Sequence, residues 1–233
     1  MQTKSKPINN GFEVAETAPS NSRRNFLIKA GSLSMASAFV LNACKKSSSD
    51  STNNGVDLGS GDIGILNYAY ALEQLEAAFY TKVIASPYTG MTSAESSLLT
   101  DIRDHEIAHR EFFKNALGSS AIIGLDVNFT SIDFTSRASV LGTAKAFEDL
   151  GVSAYNGAGQ LISDVNYLSL AGKIVSVEAR HAAYIRDLLS NGSFADSTVI
   201  DSSGLDTART PAQVLTIAGA YINTKIDASH LPS

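Results

Sequence analysis

The pattern Glu-x-x-His occurs twice in this chain of 233 residues, at Glu106-Ile107-Ala108-His109 and, seventy-two residues later, at Glu178-Ala179-Arg180-His181. On an α-helix a separation of three places both side chains on one face, where a carboxylate and an imidazole can reach the same ion. Nine Glu and four His would give this spacing about 0.15 times by chance, so the duplication asks for an explanation. It favours folds in which two helices turn the same Glu/His face towards one centre.

The flanking sequence supplies such helices. From Asp62, Ile65, Leu66, Ala69, Leu72, Leu75, Ala78 and Phe79 recur at threes and fours, predicting an apolar stripe on a helix of about 24 residues that ends before Pro87. Thr92-Ser93-Ala94-Glu95 is a capping box that opens a second helix, carrying Leu98, Leu99, Ile102, His109, Phe112 and Phe113 and stopping at Gly118. The short loop between them makes the two helices antiparallel neighbours.

Residues 119–136 mix Gly, Ser, Asp and Asn with Ile122, Ile123, Leu125, Val127, Phe129, Ile132 and Phe134. Part of this could be strand, but about eighteen extended residues also suffice to run the length of a ~36 Å helix. They are read as a long crossover on the outside of a bundle. A third helix is expected over 137–155, a Gly-rich connection at 157–159, and a fourth helix over 166–189. After a surface loop, Thr210-Pro211 supplies the N-cap and N1 proline of a short last helix bearing Val214, Leu215, Ile217, Ala218, Tyr221 and Ile222. The expected class is therefore all-α, a four-helix bundle with a long crossover between helices two and three and a short C-terminal helix.

The first and third helices share a weaker repeat. Aligning Glu73 with Glu148 also aligns Leu75 with Leu150 and Tyr80 with Tyr155. Each half is then a hairpin with one Glu on its first helix and Glu-x-x-His on its second. Glu76 lies close to the face of Glu73 and could replace it, but Glu73 alone matches the Glu148 register. Tyr80 and Tyr155, seven residues past their Glu, face the same way and could bond ligands or carry an electron. Asp149 and Arg180 are expected to be solvated or to support the ligands from behind, and His230 to be exposed.

Carboxylates on an apolar face are costly unless something positive compensates them. With a single Cys there is no thiolate cluster, so a metal would be held by carboxylates and imidazoles, which favours iron, manganese or zinc. Four carboxylates are neutralised by two divalent cations. A Glu from each of two helices with Glu-x-x-His from each of the other two is the ligand pattern of di-iron and di-manganese helix bundles.

With these six positions the chain resembles the ferritin-like superfamily over residues 62–189, and within it the secreted ferritin-like domain proteins related to desiccation-associated proteins. The resemblance implies that Glu73 and Glu148 are terminal ligands, that Glu106 and Glu178 bridge, and that His109 and His181 each bind one metal. It implies two Fe or Mn ions, iron favoured, that react with dioxygen or peroxide in envelope stress protection. If the protein is an enzyme, it would be a ferroxidase- or catalase-like oxidoreductase.

The N-terminus carries its own signals. Ser22-Arg23-Arg24-Asn25-Phe26-Leu27 and a weak apolar run from Ala30 to Leu41 resemble a twin-arginine export signal, and the run is too short to span a bilayer. Leu41-Asn42-Ala43-Cys44 resembles a lipobox with Cys44 as the lipidation site, although Asn42 departs from the usual small residue and Ala36-Ser37-Ala38 offers another cleavage point. The expected organisation is a signal peptide over 1–43, a flexible tether over 44–61, a bundle over 62–190 and a C-terminal extension over 191–233. Export to the bacterial envelope and a lipid anchor follow as expectations, and a homo-oligomer remains open. Without residues 1–43 the net charge is near −8, which argues against nucleic acid as a partner.

Two rival readings stand beside this one. His105-Glu106-Ile107-Ala108-His109 is also the zinc-metalloprotease pattern His-Glu-x-x-His, but that reading leaves Glu73, Glu148, Glu178 and His181 unused. The other rival is a ferritin-like stress or interaction module that works without metal. The di-metal reading makes His105 dispensable, whereas a zinc protease could not lose it.

Overall fold

The computed structural model describes residues 55–233; the twin-arginine segment, Cys44 and the start of the tether lie outside the described residues. Helices α1 (Gly61–Ala85), α2 (Ser93–Leu117), α3 (Arg137–Gly159) and α4 (Val165–Leu189) build the bundle. α1 packs along α2 and α3 along α4, and α1 meets α3 between the two hairpins. A short α5 (Pro211–Ala218) follows, so the all-α class with a long crossover and a small last helix is what the chain adopts. None of the described helices is long and apolar enough to cross a membrane.

Helix ends follow the local chemistry. At α2 the Thr92 hydroxyl accepts from the Glu95 N–H and the Glu95 carboxylate accepts from the Thr92 N–H, closing both halves of the capping box. Gly118, at φ +55°, terminates the same helix in a conformation that side chains avoid. Asp164 caps α4, while Asp62 in the first turn of α1 accepts from the N–H groups of Ser163 and Asp164. That contact fixes the start of α4 beside the start of α1.

α1 differs from the expected stripe, because every residue from Gly64 to Ala77 is buried. The cause is the crossover. Asn67 and Gln74, seven residues apart and hence on one face, serve its backbone: Asn67 donates to the Ser120 carbonyl and accepts from Ile122 N–H, and Gln74 accepts from Leu125 N–H, while Asn67 also donates to the Leu58 carbonyl ahead of α1. The crossover contains a 3-10 turn at Gly118–Ser120 and otherwise only an isolated bridge from Val127 to Ile222. Phe129 and Phe134 descend from it onto Phe79, which also meets Phe147 edge-on at 5.1 Å.

The Gly-rich connection expected at 157–159 is instead the last turn of α3. Gly157 is small for another reason: a Cβ there would lie 1.8 Å from the carbonyl oxygen of Arg209. The C-terminal segment crosses α3 at this point, with Arg209 N–H donating to the Ser153 carbonyl and its guanidinium to the Ser153 hydroxyl. The last helix is also shorter than its apolar pattern. It stops at Ala218, a 3-10 turn spans Gly219–Tyr221, and Ile217 is exposed while Val214 and Ala218 are buried.

The extension is tied down in two further places. Strand β1 (Val56–Asp57) pairs in parallel with β2 (Ile226–Asp227), and Leu58 is fully buried, so this end of the expected tether is built into the domain. Arg186 of α4, 1% exposed, holds Asp149 at 2.6 Å and Asp196 at 2.7 Å. Asp149 is therefore an ion-pair partner of Arg186 on α4, Arg180 is exposed and bonds the Ser176 carbonyl, and His230 is exposed beside Asp57.

Candidate metal centre

Helical periodicity brings the six sequence-selected residues to one place between the hairpins. Glu73, Glu106 and His109 of the first hairpin join Glu178 in one group, and Glu148, Glu178 and His181 of the second join Glu106 in another. Within each group one ligand atom per residue lies within 4.8 Å of all the others. Glu106 and Glu178 belong to both. The four Glu are 0% exposed, and His181 is buried as well.

The two groups are near copies. His109 Nδ1 is 2.8 Å from Glu178, 3.5 Å from Glu73 and 3.8 Å from Glu106. His181 Nδ1 is 2.9 Å from Glu106, 3.5 Å from Glu148 and 3.6 Å from Glu178. Each imidazole thus approaches the shared Glu of the opposite hairpin most closely. These atoms are close, yet they are not aligned as hydrogen bonds: both Nδ1 atoms and six of the eight carboxylate oxygens lack a bonded partner. Buried polar atoms are seldom left so. A set of lone pairs that converge on common points, rather than on one another, fits bound cations.

Electrostatics point the same way. Burial opposes charge on His109, but Glu106, Glu178 and Glu73 outweigh it and push its pKa up to about 12. Burial is likewise overcome at His181 by Glu106, Glu148 and Glu178, again up to about 12. Burial also works to raise Glu178, but the two imidazoles hold it down to about 2. Glu148 is raised to about 7 by burial, and Glu73 and Glu106 are raised by burial and then by Glu178. Protons therefore stand in for positive charge that the carboxylates need.

Tyr80 and Tyr155 bond to the centre, and they do so crosswise. Tyr80 of the first hairpin donates to Glu148 of the second, and Tyr155 of the second donates to Glu73 of the first. Both phenols are raised well above their ordinary pKa, by burial first and by the neighbouring carboxylate next, so they stay protonated as donors. The equivalence of the two tyrosines was visible in the repeat; the exchange between hairpins was not, because it depends on how α1 and α3 meet.

Glu76, the alternative to Glu73, is buried but joins neither group. Its carboxylate faces Gly151, where a Cβ would come within 3.2 Å of Oε1. Gly151 is the counterpart of Glu76 in the repeat, so the second hairpin leaves room for a side chain that only the first provides. Burial, followed by repulsion from Glu106, Glu178, Glu148 and Glu73, raises Glu76 well above the carboxylate range. His105 also joins neither group, so the two histidines of the zinc-protease pattern do not converge. His105 turns instead to His181, with 2.9 Å between Nδ1 and Nε2. Only its place one residue before Glu106 hinted at this.

A scan of family models matches the ferritin-like domain over residues 61–191. The chain belongs to the ferritin-like domain family. The match covers all four bundle helices and both ligand groups of this ferritin-like domain. Among curated proteins no match is found.

Proposed function

We propose that this ferritin-like domain holds a dinuclear centre of iron, or failing that manganese, and that the protein uses it for redox chemistry with dioxygen or peroxide in the bacterial envelope. The observation that carries the reading is the pair of ligand groups sharing Glu106 and Glu178, with their buried oxygens and ring nitrogens left without bonded partners. In this reading Glu106 and Glu178, which belong to both groups, would serve both ions, Glu73 and His109 would complete one position, and Glu148 and His181 the other. Two divalent ions would neutralise four carboxylates and supply one electron each to a small oxidant.

The protein's own contribution is placement and proton control. Tyr80 and Tyr155 hold the outer oxygens of Glu148 and Glu73, leaving the other oxygen of each free to bind. Buried Phe79 packs edge-on against Tyr80 and buried Phe113 lies against Tyr155, so apolar rings back both tyrosines and strengthen the charge interactions beside them. Because His109 and His181 must give up protons to bind as ligands, loading releases protons. The twin-arginine-like segment and Cys44 support export and lipid anchoring as part of the proposal; export of a folded chain would allow metal loading beforehand.

Elemental analysis of protein purified from metal-replete cells tests the reading. About two Fe or Mn per chain is the expected result. A single zinc with peptidase activity would overturn it, and a metal-free protein would favour the metal-independent module.

A further inference from the structure

The near-symmetry of the two ligand groups ends at the far side of the histidine rings. His181 Nε2 lies 2.9 Å from His105 Nδ1, and the ring planes differ by 8° with centroids 5.2 Å apart. That centroid separation is the N···N distance extended by the two ring radii, so the rings meet edge to edge in nearly one plane. An in-plane N–H then points along an in-plane lone pair, the best geometry such a bond can have. His109 has no hydrogen-bond partner for Nε2 among the described residues. The repeat that pairs Glu106 with Glu178 pairs His105 with Val177, an alkyl side chain that can neither donate nor accept.

The direction of the bond follows from what His181 does on its other side. Nδ1 faces Glu106, Glu148 and Glu178, so His181 would bind a metal through the Nδ1 lone pair and keep its proton on Nε2. Nε2–H donates to His105 Nδ1, and His105 carries its own proton on Nε2. Its ring is on the exposed side of α2, so that second N–H is free to meet water. A ligand imidazole held in this way keeps its tautomer and ring orientation. His109 is left to find both by itself.

We infer that His105 is a positioning residue that locks the ligand tautomer of His181 and thereby makes the Glu148/His181 position the tighter of two inequivalent metal positions. The inference rests on the proposed dinuclear centre, deepens it, and gives the residue that completes the zinc-protease pattern a different task. It predicts two unequal affinities in a centre whose inner ligands are duplicated.

The test is an anaerobic titration of the metal-free full chain with Co(II), followed by its visible absorption, for the wild type, His105→Phe and His105→Gln. The wild type should bind two equivalents in resolved steps. His105→Phe should weaken the tighter step by about 10- to 100-fold, the usual cost of losing a ligand's outer hydrogen bond, and leave the weaker step unchanged. His105→Gln, whose amide oxygen can accept from Nε2–H, should restore most of the loss. Tm in the absence of metal should be the same for all three proteins to within a few degrees, which a purely structural role would not give. Two wild-type equivalents with unchanged affinities in His105→Phe would overturn the inference and leave the centre standing. Equal weakening of both steps, or no rescue by Gln, would also overturn it. A wild type that binds no Co(II) would remove the centre and the inference together.

Discussion

The α1–α2 and α3–α4 hairpins present the same candidate ligands at distances that agree within about 0.2 Å and the same tyrosine donor, yet the segments that cover them differ. α1 is sealed by the crossover through Asn67 and Gln74. α3 is sealed by the C-terminal segment, which crosses at Gly157 and is clamped through Arg186 to Asp149 and Asp196. The first hairpin alone carries Glu76 and His105, where the second has Gly151 and Val177. A buried cluster of charges tolerates little change in its members or in the tyrosines bonded to them, whereas the covering segments need only exclude water and bond what they touch. The repeat is visible in the first and absent from the second.

The comparison breaks most visibly at the shared carboxylates. Glu178→Ala should abolish both metal positions, whereas Glu73→Ala should weaken mainly the His109 position, as read by metal content per chain after dialysis. If Glu178→Ala keeps one ion at full occupancy, the two groups are separate sites and not one centre.

The supports should differ in kind. Arg186→Met removes the cation between Asp149 and Asp196 and should cost about 3 kcal/mol in urea unfolding, since it leaves a half-buried carboxylate without its partner. Metal stoichiometry of the fraction that stays folded should be unchanged. Gly157→Ala forces the Arg209 backbone off α3 and should cost about 2 kcal/mol, with faster proteolysis of the C-terminal segment. In the first hairpin the tight glycine is Gly64, where a Cβ would lie 2.6 Å from the Gly59 carbonyl oxygen, so the backbone pressed on α1 there is that of the chain just before it and not that of the C-terminal segment.

The tyrosines sharpen the crosswise link. Tyr80→Phe should weaken the position built on Glu148, and Tyr155→Phe the position built on Glu73, each by about 1 kcal/mol of metal affinity. Each variant acts on the hairpin opposite to the one that carries the mutation. An effect on its own hairpin would show that packing, and not the hydrogen bond, is responsible.

The smallest effect lies where the hairpins join. Burial works to raise Glu95, but bonds from Thr92 and the Arg137 guanidinium at 2.7 Å outweigh it and lower its pKa. A lowered carboxylate pKa gives stability that is present above the unfolded value and lost as pH falls through the folded one. Glu95→Gln should therefore cost about 0.5 kcal/mol at pH 7, and the cost should shrink as pH falls below the ordinary carboxylate range, in paired thermal melts. A cost that persists in acid would assign it to the amide's fit and not to charge.

Much of this was legible because it is local. The spacing of Glu106 and His109, the capping box at Thr92, Pro211 at N1 and the register of Glu73 with Glu148 all follow from a 3.6-residue period that the chain carries wherever the helix lies. The Gly-rich run at 157–159 misled for the converse reason: a glycine chosen for contact with Arg209 looks the same in sequence as one chosen for a turn.

By itself, then, the sequence determined the four helices, the hairpin pairing and the shared face of the six residues that the structure groups together, because each depends on periodicity within a single helix. Only the tertiary structure decided that Tyr80 serves Glu148, that Arg186 clamps the extension, and that His105 meets His181 across a separation of 76 residues. Those contacts are set by the relative rotation and height of packed helices, and no local period records either.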